Sequence, residues 1–361
     1  MTFSKNTLWA LLAAVTFSFL ACKKGDEKPE SAYASGVFIT CEGQFGSGTG
    51  TVSYYNRVDS TRDDIYAAAN GGAKIGNILQ SYTVFQGVGY LLVNNANKMI
   101  TVNPKTFVAT ATYDTGFVFP RYALGVDAAP SRLYVSTWGK DSFSRTSSIR
   151  LFDLSSKKIA RIIPTGKGTG KMILVSGKIW AVNDGGFGQD STVVVVNTVA
   201  DTFVERRIKV GAAPKDIIAD NNGNIWVLCA GYDITGTKNA SKLVQIRNET
   251  VVANFDNLPS GASSLVVDNA KTTLYFLAGN KVYSKDPLNF NTAAPSVFLQ
   301  NAAFSSLYGL GVDPKSGYLY IADAKDYTKS GQVFIYDLTT KTMTKVIQNG
   351  VGIAPNGFYF N

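Results

Sequence analysis

The sequence contains no histidine. That absence removes the imidazole base that a serine or cysteine nucleophile uses, and with it every His-ligated haem, copper or catalytic zinc centre. Chemistry carried by carboxylates, Lys or Tyr stays open. Cysteine is scarce, with 3 residues in 361. No apolar run approaches the ~20 residues of a membrane-spanning helix. Charged residues are only 17% of the chain against 45% hydrophobic ones, which supplies a core and shows no bulk disorder. The net charge of +9 is scattered, without a Lys/Arg arm or stripe. We read it as a soluble, anion-tolerant surface, and a nucleic-acid partner is not expected.

The N-terminus carries an address. Lys5 forms a thin positive region, Leu8 to Leu20 an apolar one, and Phe19-Leu20-Ala21-Cys22 closes it. A small residue before Cys is the pattern of a lipobox, so residues 1–21 read as a lipoprotein signal peptide and Cys22 as the lipidated residue. Phe19 departs from the usual Leu there; the alternative is an ordinary signal peptide with an incidental Cys. Lys23 to Ser31 is charged and poor in apolar residues, so 22–35 reads as a flexible tether. Acidic residues just after the Cys resemble the signal that sends some lipoproteins to the cell surface. The expected location is the outer membrane, lipid-anchored and exposed outside.

What is abundant is Gly (34), Phe (21) and Tyr (18), the composition of an all-β chain with many tight turns. One pattern repeats from residue 36 onward. Its apolar strand recurs as Val37–Cys41, Tyr90–Asn94, Leu133–Thr137, Ile179–Asn183, Ile225–Cys229, Leu274–Ala278 and Leu319–Asp323, with starts 43 to 53 residues apart. A period of this length with strand patterning is the signature of four-stranded propeller blades. A preceding strand ends in a turn at Asp127, Asp220, Asp268 or Asp313, where the Asp caps its own turn.

The tail decides closure. Gly352-Ile353-Ala354-Pro355 and the strand after it mirror Gly211-Ala212-Ala213-Pro214 and the strand opening another blade, yet the chain then ends. The first copy lacks that inner strand. Residues 36–361 therefore read as an all-β, seven-bladed β-propeller of four-stranded blades, closed by the C-terminal strand pairing into the N-terminal blade. Cys41 and Cys229 take equivalent places in blades one and five. A disulfide needs Cα atoms within roughly 7 Å, so both are expected as buried free thiols.

In such a blade the loops after the second and fourth strands share one face, and here they are long and rich in Gly and aromatics. Function resides on long loops held by a rigid scaffold. The candidate ligand-binding residues are Gln44, Phe45, Trp138, Lys140, Phe143, Arg145, Phe187, Gln189, Tyr232 and Tyr327, gathered around the axial opening. The alternative is that these rings merely fill gaps between blades. The short loops of blades two and six, at Asn94–Asn97 and Ala278–Asn280, would leave a depression between taller walls. No catalytic constellation emerges. Asp184 and Asp190 flank a Gly-rich loop but fall short of a calcium loop, and no metal is expected. Gly166 to Lys171 lacks phosphate-loop spacing and opens a strand rather than a helix.

Over residues 36–361 the chain resembles YncE-like seven-bladed propellers. Within them it is most similar to the surface lipoproteins that capture cobalamin beside outer-membrane vitamin transporters. The resemblance rests on Gly36–Gly46, Val52–Tyr55, Asn183–Gly186 and the Gly-x-x-Pro turns at Gly211 and Gly352. It implies a non-enzymatic binding protein without a resident cofactor, a corrinoid or similar bulky nutrient as ligand, and a TonB-dependent transporter as partner. A propeller that binds a macromolecule on the same face, as an adhesin does, is the competing expectation.

Overall fold

The structure is a computed structural model that describes residues 32–127, 130–140, 147–199, 205–231, 240–287 and 294–361. Cys22 lies outside them. Among the described residues, seven antiparallel sheets of four strands form, and one short helix, Ile65–Ala69, follows the outer strand of blade one. Residues Tyr33–Asn361 make one compact unit.

Six blades are consecutive in sequence. Blade one is composite: its inner strand is Pro355–Phe360, and its other strands are Val37–Cys41, Thr51–Tyr55 and Thr61–Arg62. The register pairs Val37 with Phe360, Phe38 with Tyr359 and Ile39 with Phe358. The expected closure is therefore the one the fold adopts. Gly309 and Gly311 in the inner strand of blade seven admit the C-terminal strand. A Cβ on Gly309 would lie 2.6 Å from the Asn356 carbonyl oxygen, and one on Gly311 would lie 2.9 Å from Phe358 Cβ.

The second strand of each blade is buried on both faces, which is why it reads as a continuous apolar run rather than an alternation. Successive side chains face opposite neighbours. In blade five, Ile225, Val227 and Cys229 pack toward blade four, and Trp226 and Leu228 toward blade six. One apolar cluster fills each of the seven blade interfaces described. The closing one joins Val37, Ile39 and Cys41 to Tyr320, Val333 and Ile335 of blade seven. Cys41 and Cys229 are free and buried as expected. The glycines of the two Gly-x-x-Pro turns lie directly over them: a Cβ on Gly352 or Gly211 would stand 3.1 Å from the respective sulfur.

The turn aspartates cap as expected. Asp220 accepts from the Asn222 and Asn224 amides, and Asp268 from those of Thr272 and Thr273. Asp313 does more, because it also receives Arg57 of blade one, Nε to Oδ2 at 2.7 Å and Nη2 to Oδ1 at 3.2 Å.

Candidate functional site

The inner strands surround an axial channel of about 740 Å³. At the end where each inner strand begins, all seven described sheets break register between the first and second strands. Each break leaves extra residues on the inner strand: Asn356, Gln80, Arg121 with Tyr122, Gly170 with Lys171, Lys215, Ser264 with Leu265, and Tyr308. A β-bulge re-aims side chains that a regular ladder would alternate. Every one of these residues lines the channel.

The approach to the bulge is also repeated. Ala354, Ile78, Phe119, Gly168 and Ala213 precede five of the inner strands, all with φ between 49° and 63°. Ile78 and Phe119 are bulky residues in a left-handed conformation, which costs of order 1–3 kcal/mol each and persists only where the surroundings impose it. Their carbonyls accept the backbone N–H of the residue that follows the second strand. Glu42 donates to Ala354, Asn94 to Ile78, Trp138 to Phe119 and Asp184 to Gly168, at 2.8 to 3.1 Å. Glu42, Trp138 and Asp184 thus occupy one structural position in three blades, at the mouth of the channel.

The electrostatics of this mouth are organised. Lys171 pairs with Asp216 at 2.7 Å, and Lys215 with Asp184 at 3.3 Å. Glu42 accepts from Tyr308 Oη at 2.8 Å and from Asn356 Nδ2 at 3.0 Å. Burial raises the Glu42 pKa above the ordinary value, against the pull of these bonds and of nearby Arg121. The Arg121 guanidinium lies 4.0 Å over the Trp138 ring. Phe187 meets Trp138 edge-on at 5.3 Å, and Phe119 meets Phe187 at 5.5 Å. Asn94 and Asn97 of the short blade-two loop buttress this group, bonding the Pro120 carbonyl and the Phe119 amide.

Of the expected ligand residues, Phe143, Arg145 and Tyr232 lie outside the described residues. Trp138 and Phe187 come together, with Trp138 half-buried beneath and Phe187 58% exposed above. Phe45 stands 78% exposed on the blade-one loop beside the exposed Gln44. Tyr327 is 41% exposed, packs edge-on against Tyr308 at 5.3 Å and hydrogen-bonds Ser306. Lys140 is exposed at the start of its loop. Gln189 lines a separate polar depression with Lys167 and Arg207. None of these lines the channel itself; their neighbours do. The inward ring was missed. Its signal was the polar residue after the Pro that opens an inner strand, at Arg121, Lys215 and Asn356.

Asp184 and Asp190 are taken up by protein donors: Gly186 N and Lys215 on the first, and Lys167 N, Ser191 N and Thr192 on the second. Among the described residues no three His, Cys, Asp or Glu side chains gather as a metal cage.

The fold and this site define a seven-bladed β-propeller with a polar axial mouth. Residues 35–361 match DUF5074, a domain of unknown function, and the chain belongs to that family. No curated protein matches its sequence. Solved structures share the fold at low identity. A quinonprotein alcohol dehydrogenase-like protein from Bacteroides thetaiotaomicron is 16% identical with a TM-score of 0.64, over 91% of this chain and 78% of its own. The periplasmic gluconolactonase of Pseudomonas aeruginosa is 12% identical with a TM-score of 0.64, over 90% and 99%. A protein from Bacteroides fragilis described as a 6-phosphogluconolactonase is 12% identical with a TM-score of 0.62, over 92% and 99%.

Proposed function

We propose that this is a non-enzymatic binding protein that captures a bulky ligand over the mouth of the axial channel. The observation that carries the reading is the pairing of solvent-facing rings with inward polar groups at one end of the axis. Phe45, Phe187 and Tyr327 offer apolar surface to solvent, while Gln80, Arg121, Lys215 and Asn356 project below them. A ligand with a flat apolar body and polar edges satisfies both, stacking on the rings and bonding at its rim. A corrinoid such as cobalamin has that chemistry. The lipobox at Cys22 supports capture at the outer face of the outer membrane, with release to a TonB-dependent transporter.

Titration calorimetry with cobalamin tests the reading. Saturable binding is expected, and truncating a buried anchor typically costs about 2 kcal/mol, roughly 30-fold in affinity. Phe187→Ala removes the exposed ring and Trp138→Ala its support, with Tyr336→Phe in blade seven as control. Full-strength binding by the double variant would show that the ligand sits elsewhere. For the location, Cys22→Ser should move the protein from the membrane to the soluble fraction; unchanged fractionation refutes lipidation.

A further inference from the structure

We propose that Arg121 is the seat of a small carboxylate ligand inside the axial channel, a ligand class distinct from the bulky one at the rim and not dependent on it. Among the described residues three cations line the channel, Arg121, Lys171 and Lys215. Lys171 and Lys215 have carboxylate partners in Asp216 and Asp184. Arg121 is different. Among the described residues its guanidinium makes no hydrogen bond and no ion pair, and its Nε is buried without a partner. Glu42 feels the Arg121 charge but spends its two oxygens on hydrogen bonds from Tyr308 and Asn356. Arg121 is half-buried, and its Nε is withdrawn from water with no acceptor, which is costly for an N–H of a cation. The planar fork of Arg matches a carboxylate with two parallel charge-assisted bonds.

The surroundings fix how that carboxylate would approach. Trp138 covers one face of the guanidinium at 4.0 Å, and Tyr122 flanks it at 6.0 Å. Stacking holds the plane and leaves the in-plane N–H edge for the ligand. Gln80 occupies the equivalent bulge in the neighbouring blade and is 7% exposed. Its Nε2 reaches Tyr122 Oη at 3.5 Å, while its Oε1 is buried without a partner. A ligand that gives its carboxylate to the open Nη edge of Arg121, and a hydroxyl or ammonium hydrogen to Gln80 Oε1 once that amide turns toward the channel, fits the two residues. The class is therefore a short carboxylate with a hydrogen-bond donor on the adjacent carbon. Among the described residues the channel holds no second unpaired cation to demand a second anionic group.

The test uses the full-length protein with L-lactate, L-glutamate and acetate as probes, and methyl lactate and inorganic phosphate as counter-probes. Binding is read by calorimetry and by tryptophan emission, since Trp138 lies against the guanidinium. The α-substituted carboxylates should bind saturably and more tightly than acetate, and methyl lactate should not bind. Arg121→Gln should weaken binding by about tenfold or more, and Arg121→Lys by less, because a point charge replaces the fork. Gln80→Leu should erase the advantage of lactate over acetate. Trp138→Phe should remove the emission change, and a change of emission that persists in this variant would overturn the placement beside Arg121. Thermal melting of each variant establishes that it folds. Equal affinity of Arg121→Gln and parent, no saturable response to any carboxylate, or tighter binding of phosphate than of lactate overturns the proposal. A silent cobalamin titration bears on the rim reading alone.

Discussion

Arg57 is the residue whose loss should be felt most at the ring closure. It sits in the turn after the third strand of blade one with φ at 67° and reaches Asp313 of blade seven. It forks onto both carboxylate oxygens and donates from Nη1 to the carbonyl of Asn361 at 2.9 Å. One side chain thereby ties the N-terminal strands, the C-terminus and the last blade. The Asp313 side chain is fully buried and that of Arg57 is 15% exposed. Removing one partner of a buried pair costs about 3–5 kcal/mol, because the other charge stays behind unpaired. Asp313 keeps the Lys315 amide as a donor, which argues for the lower end, about 3 kcal/mol for Arg57→Ala. Arg57→Lys keeps the charge without the fork and should lose roughly half of that. Burial alone would raise the Asp313 pKa, but the bonds from Arg57 outweigh it and hold the carboxyl below its ordinary 3.8. A depressed carboxylate contributes stability above its unfolded pKa and loses it as pH falls through the folded value. The gap between parent and variant should therefore be full at neutral pH and shrink below about pH 4. Urea unfolding at neutral and acid pH measures it, with an unchanged slope marking a global effect. A variant within about 0.5 kcal/mol of the parent at neutral pH would refute the clasp, since surface substitutions stay in that range.

Deleting residues 351–361 removes an inner strand and exposes the edge of Val37–Cys41. The melting temperature should fall sharply, and a truncation that melts like the parent would sink the closure account. Burial pushes the Cys41 and Cys229 thiols up to about 12. Thiol reagents at about pH 8.5 should therefore label neither in the native protein and both after denaturation, because the thiolate is the reacting species. Gly352→Ala should destabilise the closing blade, since the new methyl meets the Cys41 sulfur and Thr51; a thermal melt unchanged from the parent would contradict that packing.

The architecture was written in the chain because each blade repeats one local pattern. Runs such as Ile225–Cys229 are apolar at every position since both faces meet a neighbouring blade, and turn aspartates such as Asp220 mark the strand ends by capping their own loops. The Gly-x-x-Pro echo at Gly211 and Gly352 revealed the composite blade because a strand without three partners has no other place in a ring. The rings at Phe45, Phe187 and Tyr327 could be assigned to one face from loop position alone. The Pro before Arg121, Lys215 and Asn356 marks three members of the inward ring, but without it the sequence does not say which side chains turn inward. That depends on bulges, where Arg121, Gln80 and Tyr308 leave the two-residue alternation and point down the axis, and a bulge exists only once two strands are paired. Nor could it separate Lys171 and Lys215, each neutralised by a carboxylate from a neighbouring blade, from Arg121, which is not. Those pairings join residues tens of positions apart, and only the closed ring brings them within reach.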